Sequence, residues 1–352
     1  MSQSSQPSEP AVPGDMLPPV EPPSAGFILQ LFVVPGIIVV IIVMVWLLFN
    51  WVARTGNDPQ EYVRALKRDN VNSWQAAVNL ANALGNPGPQ GAALRQDSAL
   101  ARELAEMLDK ELGKGADAGS MKEQPLMLRY FLCKALGEFE TPEGLPALVK
   151  AAGTHRSDEE SEVRLAALQA IAVLAENMGR IHPGKSLAGP DSAEIEPPAT
   201  PGVDEVLLEA SRDADPRVRG TAAYAMGVVG GEKLTARLEA MLGDSNPDVR
   251  YNAATRLAAH GDAQAIGVLA EMLDPEESAG VNAEKNEDLR PYKRALIVTN
   301  ALRAVEQLHA KNSAADLSLV RDQLERLLAA HPDKVQRVQA TELLKKLSPA
   351  AR

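Results

Sequence analysis

The stretch "DADPRVRGTAAYAMGVVG" at residues 213–230 starts again 31 residues later as "DSNPDVRYNAATRLAAHG" at residues 244–261. A near-copy at that period is the mark of stacked supersecondary units rather than of one closed core. In the first copy Val218, Ala222, Ala225, Met226 and Val229 fall on one helical face. Asp215 stands where an N-cap belongs, and Pro216 suits the first turn, where its missing N–H costs nothing. In the second copy Asn246 and Pro247 take those places, and Val249, Ala253, Ala254 and Leu257 form the matching stripe. Between the copies, "EKLTARLEAML" at residues 232–242 carries Leu234, Leu238, Met241 and Leu242 on one face, so the unit reads helix, turn, helix, short link.

The same grammar extends along the chain. An acidic residue six positions before an arginine recurs as Asp158/Arg164, Asp213/Arg219, Asp244/Arg250 and Asp288/Arg294, with a glutamate variant at Glu123/Arg129. Weaker copies begin at Asn72 and Asp333, which makes about seven units. The irregular spacing is explained by a Pro/Gly-rich insert at residues 180–202 and a polar one at 275–289. Repetition at a fixed offset reads as a structural ladder, with each arginine bonding a carboxylate or carbonyls of its own or the next repeat. A catalytic pair would occur once.

The pattern DxxPxVRxxAAxAxGxxG, as residues 213–230 carry it, resembles the HEAT-repeat family in its short bacterial form, related to phycobilisome-lyase repeats. The likeness covers most of residues 57–347. The resemblance implies an all-α fold: a solenoid of about seven helical pairs wound into a right-handed superhelix, in which stacking buries an apolar face that one pair cannot bury alone. Small residues at Ala222/Ala223 and Ala253/Ala254 let neighbouring helices approach closely. A stack of this kind offers a long concave face and few deep pockets, which suits a protein partner.

The N-terminus has a different character. Residues 1–26 are rich in proline and serine, hold Glu9, Asp15 and Glu21, and read as a disordered tail. Residues 27–53, "FILQLFVVPGIIVVIIVMVWLLFNWVA", contain no charge and are long enough to cross a membrane. Pro35-Gly36 allows either a span that starts near Pro35 or a longer kinked helix. All 36 lysines and arginines follow this segment, beginning with Arg54, Arg64, Lys67 and Arg68. The excess of positive charge predicts a single-pass protein of the cell membrane, tail outside, with the solenoid at residues 54–347 in the cytoplasm and a short tail at 348–352.

Candidate chemistry is sparse. A deoxyhypusine-hydroxylase-like site needs His-Glu pairs, but His155, His182, His260, His309 and His331 are followed by Arg, Pro, Gly, Ala and Pro. No phosphate loop or GxSxG appears, and no His/Cys/Asp/Glu cluster has ligand spacing, so no metal and no cofactor is expected. The region after the apolar segment stays net acidic, which argues against a nucleic-acid groove. The one cysteine, Cys133, reads as a buried helical residue, and His260 as a helix-terminal group. The reading is a non-enzymatic, membrane-anchored scaffold or adaptor that binds a membrane-associated protein, through the concave face or the loop at 180–202, and assists assembly of a membrane complex. The alternative, from resemblance alone, is a lyase-type enzyme or enzyme subunit.

Overall fold

The structure, a computed structural model, describes residues 24–55, 59–67, 73–114, 123–155, 160–181, 202–330 and 333–347. Most of the tail at 1–26, most of the 180–202 insert, Asp158 and residues 348–352 lie outside the described residues. Among the described residues every regular element is a helix. The chain divides into two compact units, Met1–Asp58 and Pro59–Arg352.

Among the described residues the first unit holds one helix, α1 (Ala25–Thr55), 31 residues long with Pro35 inside it. The helix runs unbroken from Ala25, so the segment before Pro35 is helical as well. Its stretch Leu29–Phe49 has a mean hydropathy of 3.1, is 0% buried within the protein, and is long and apolar enough to cross a membrane.

The second unit is built in two layers. Its elements run α2 (Pro59–Lys67), α3 (Ser73–Leu84), α4 (Pro89–Arg95), α5 (Ser98–Gly113), α6 (Glu123–Gly137) and α7 (Leu145–Ala152). They continue α8 (Ser161–Ile181), α9 (Val203–Ala210), α10 (Pro216–Val229), α11 (Glu232–Met241), α12 (Pro247–Ala259) and α13 (Ile266–Leu273). The last are α14 (Ala279–Asn282), α15 (Arg290–Lys311), α16 (Ser318–Ala330) and α17 (Lys334–Leu347). One layer is the series α3, α6, α8, α10, α12, α15 and α17, each packed on the next. The other holds α5, α7, α9, α11, α13 and α16. Each of the seven expected units contributes one helix to the first layer, but the second layer holds six, so α17 ends the described series without a following partner helix.

The core lies between the layers and is made of the stripes that the periodicity marks. Val218, Ala222, Ala225, Met226 and Val229 of α10 are buried, as are Val249, Ala253, Ala254 and Leu257 of α12 and Leu234, Leu238 and Met241 of α11. Burying one such aliphatic side chain contributes about 1.5–3 kcal/mol. The small residues set the helix spacing. A Cβ on Gly137 would fall 2.7 Å from Cα of Ala170, and one on Gly227 would fall 2.3 Å from Cβ of Arg256. Caps start the helices where the repeat places them: Asp215 accepts from the amide of Arg217, and Asn246 from those of Asp248 and Val249. Between α10 and α11 the chain reverses through Gly230 and Gly231, at φ +76° and +102°, a region that side chains with a Cβ rarely enter.

Candidate interaction face

The arginines of the repeat lie at the edge of the stack where each unit begins. Arg219 on α10 donates from Nε and Nη2 to the carboxylate of Asp244, both at 2.8 Å, and from Nη1 to the carbonyl of its own Asp213 at 2.9 Å. Asp244 also accepts from the amide of Asn246, so one carboxylate joins two units and braces the next cap. Arg164 reaches Asp213 in the same direction, at 3.2 Å. Arg129 reaches Glu160 at 2.9 Å, with both side chains almost wholly buried. The hydrogen bond from Arg219 holds Asp244 below the ordinary carboxylate range. The six-residue offset is therefore not a side-chain pair. Arg219 takes the carbonyl of the acid six positions back and the carboxylate of the following unit, while Arg164 takes the carbonyl of Thr154 and the carboxylate of the following unit.

Beyond α12 the pattern changes. Arg250 keeps the carbonyl of Asp244 at 2.9 Å, but its ion-pair partner is Glu271 on α13, within its own unit. Asp288 is not a rung, contrary to the sequence expectation. It stands exposed in a 3-10 turn, and among the described residues no ion pair joins it to Arg294, which donates to the carbonyls of Glu277 and Asp274. The true register there lies four residues earlier. Glu284 accepts from the amide of Asn286, Asn286 caps the turn, and Arg290 donates to the carbonyl of Glu284 at 3.2 Å. "EKNEDLR" at residues 284–290 thus occupies the place of "DSNPDVR" at 244–250.

The opposite edge carries a second series that sequence reasoning missed. The last carbonyls of an α-helix lack intrahelical donors. Here the following long helix supplies them. Asn177 of α8 donates to the carbonyls of Gly137 and Glu138 at the end of α6. His260, the C-cap of α12, places Nε2 2.6 Å from the carbonyl of Gly227 in α10, and Asn312 donates to the carbonyl of Gly261 at 3.0 Å. The helix-end role expected for His260 acquires a definite acceptor on the neighbouring unit.

The exposed face of the long-helix layer is not uniformly polar. Trp74 of α3 stacks on Phe131 of α6 with ring centroids 6.5 Å apart, and Tyr130 meets Phe131 edge-on at 5.0 Å. Lys134 lies over the Tyr130 ring at 5.7 Å. A groove of about 450 Å³ follows, crossing α6, α8, α10 and α12. Its floor is set by small residues, among them Gly137, Ala170 and Gly220, and its walls include Lys134, Gln169 and Tyr224. Tyr224 donates to Glu176 at 2.9 Å, and the guanidinium of Arg256 covers its ring at 4.8 Å. A smaller cavity of about 240 Å³ lies between α15 and α17, and Tyr292 and Leu296 stand exposed along the same stripe of α15. Five of the eight aromatic residues beyond α1 thus lie on this one face. A signal for Tyr224 was present: it sits opposite the apolar stripe of α10.

Cys133 is wholly buried on α6, and burial pushes its thiol up to about 12. Among the described residues no three His, Cys, Asp or Glu side chains are grouped to hold a metal ion.

Comparison with known proteins gives one family. Residues 204–284 match the model for HEAT repeats, a segment that runs from α9 into the turn before α15. No curated protein matches the chain. Among solved structures, an engineered protein is 18% identical over 73% of this chain and 98% of its own, with a TM-score of 0.39. The Escherichia coli protein YibA is 17% identical over 82% and 93%, at 0.42. Human deoxyhypusine hydroxylase in complex with glycerol is 23% identical over 77% and 84%, at 0.30. The assignment of repeats rests on the family match and on the helical units themselves.

Proposed function

We propose that this HEAT-repeat chain is a non-catalytic scaffold, held in a membrane by α1, which binds a protein partner along the long-helix face of its solenoid. HEAT repeats are helical scaffolds for protein interaction, and a stack of them presents an extended surface. The observation that carries the reading is the concentration of Trp74, Tyr130, Phe131, Tyr224 and Tyr292 on one face around an open groove, in a chain with only 4% aromatic residues. Aromatic side chains are enriched where proteins meet, because they bury much area at little entropic cost. The anchor contributes placement, raising the local concentration of membrane-associated partners.

The orientation follows from charge: the tail outside and the solenoid in the cytoplasm. A reporter active only in the cytoplasm, fused after Arg352, is expected to be active, and activity of an exported reporter alone would reverse the topology. Binding is tested with a photo-cross-linking residue in place of Tyr224, compared with one at Glu239 on the other layer. Recurrent trapping of one protein from the Tyr224 position alone supports the scaffold. Equal trapping from both positions, or none, overturns the assignment of the face.

A further inference from the structure

We infer that the end of the solenoid, α15 with α17, binds an acidic amphipathic helix of a partner protein. Four large apolar side chains are exposed there: Tyr292 (71%) and Leu296 (48%) on α15, Val335 (65%) and Val338 (57%) on α17. Gln336 donates to the carbonyl of Ala295 at 2.8 Å, which sets the first turn of α17 beside the turn of α15 that holds Leu296. Helical spacing continues this apolar start into the cavity lined by Thr299, Arg303, Gln339 and Glu342.

The surrounding charge is what selects the occupant. Lys334, Arg337 and Lys345 on α17 and Arg303 on α15 have no ion-pair partner among the described residues. Lys346 is neutralised by Glu306, Asp333 is used in starting α17, and Glu342 is the acid left on that arc. In a net-acidic chain this end is locally basic. Unpaired cations beside exposed apolar groups fit a helix that presents apolar residues at i, i+3 or i+4 and i+7, flanked by carboxylates. The inference narrows the scaffold reading to one segment of its face. If it fails while cross-links at Tyr224 persist, the scaffold stands and only this partner chemistry is lost.

The test uses the full chain in nanodiscs of neutral phosphatidylcholine, because α1 requires an amphiphile. The probe is a fluorescent synthetic helix with a leucine face and glutamate flanks, set against a scrambled peptide and a lysine-flanked one, read by anisotropy. The acidic helix is expected to bind at least about tenfold more tightly than the scrambled one and to weaken with salt. Lys334→Glu with Arg337→Glu and Lys345→Glu, all surface changes, removes that preference and transfers it to the lysine-flanked helix, with unchanged thermal stability as the folding check. Equal binding of acidic and scrambled peptides overturns the inference, as does a triple variant that keeps the acidic preference. Recruitment of phosphatidylserine vesicles without peptide binding also overturns it and makes the surface a lipid-facing one.

Discussion

From α6 to α10 the repeat's own arginines tie each unit to the next, while from α12 onward they turn inward and other pairs cross the boundaries, Lys293 with Asp248 and Lys346 with Glu306. Arg129, Arg164 and Arg219 each reach a carboxylate of the next unit. Arg250 meets Glu271 of its own unit, and Arg294 is satisfied by carbonyls. Yet the core does not change character at that border: Val298, Ala301 and Val305 of α15 are as buried as their counterparts in α10. The place of the insertion, rather than its length, explains the contrast: the longer insert at 180–202 lies between α8 and α9 and leaves Asp213 beside Arg164, whereas the later one falls directly before the repeat's acid. Asp213 and Asp244 are 31 residues apart, whereas Asp244 and Glu284 are 40 apart, with α14 in the added segment. Apolar burial is non-directional and survives the insertion. A bidentate ion pair needs its partner at one distance and angle, and loses it.

The largest effect should come from Arg129→Ala. It leaves Glu160 buried without its cation, a change that costs about 3–5 kcal/mol, seen as a lower midpoint in denaturant unfolding of the solenoid. A loss under about 1 kcal/mol would show that this pair does not tie its units. Arg219→Ala is next. It removes charged hydrogen bonds at a partly exposed site, and about 1.5–3 kcal/mol is expected. Arg250→Ala should cost less at the α12–α15 boundary, because its carboxylate partner lies within one unit; an equal loss there would erase the contrast.

Acid sharpens the same comparison. Asp244 is held below its unfolded value by Arg219, so its contribution is present above that value and disappears as pH falls through the folded one. The difference in melting temperature between the parent and Arg219→Ala should therefore narrow below about pH 4. A difference that stays constant down to strong acid would remove the Asp244 pair from the account.

The smallest effects decide the register after the insertion. Asn286→Ala removes the cap of the turn before α15 and should cost about 1 kcal/mol, whereas Asp288→Ala should stay within about 0.5 kcal/mol. The reverse order, read by thermal melting, would restore Asp288 as the repeat's acid.

The apolar segment around Leu29–Phe49, the all-helical composition, the repeat and the identity of the buried stripes were legible in the sequence. These follow from local rules, since helical periodicity names the buried face and caps name the helix starts. Tertiary structure alone decided which acid each arginine meets, which side chains close the helix ends at Gly137, Gly227 and Gly261, and which face gathers the aromatic rings. The misplaced pair Asp288/Arg294 shows why. An amphipathic helix read four residues along keeps the same apolar face, so periodicity cannot tell Glu284/Arg290 from Asp288/Arg294. Only the folded turn distinguishes them: Arg290 donates to the carbonyl of Glu284, six positions back, whereas Arg294 donates to the carbonyls of Asp274 and Glu277.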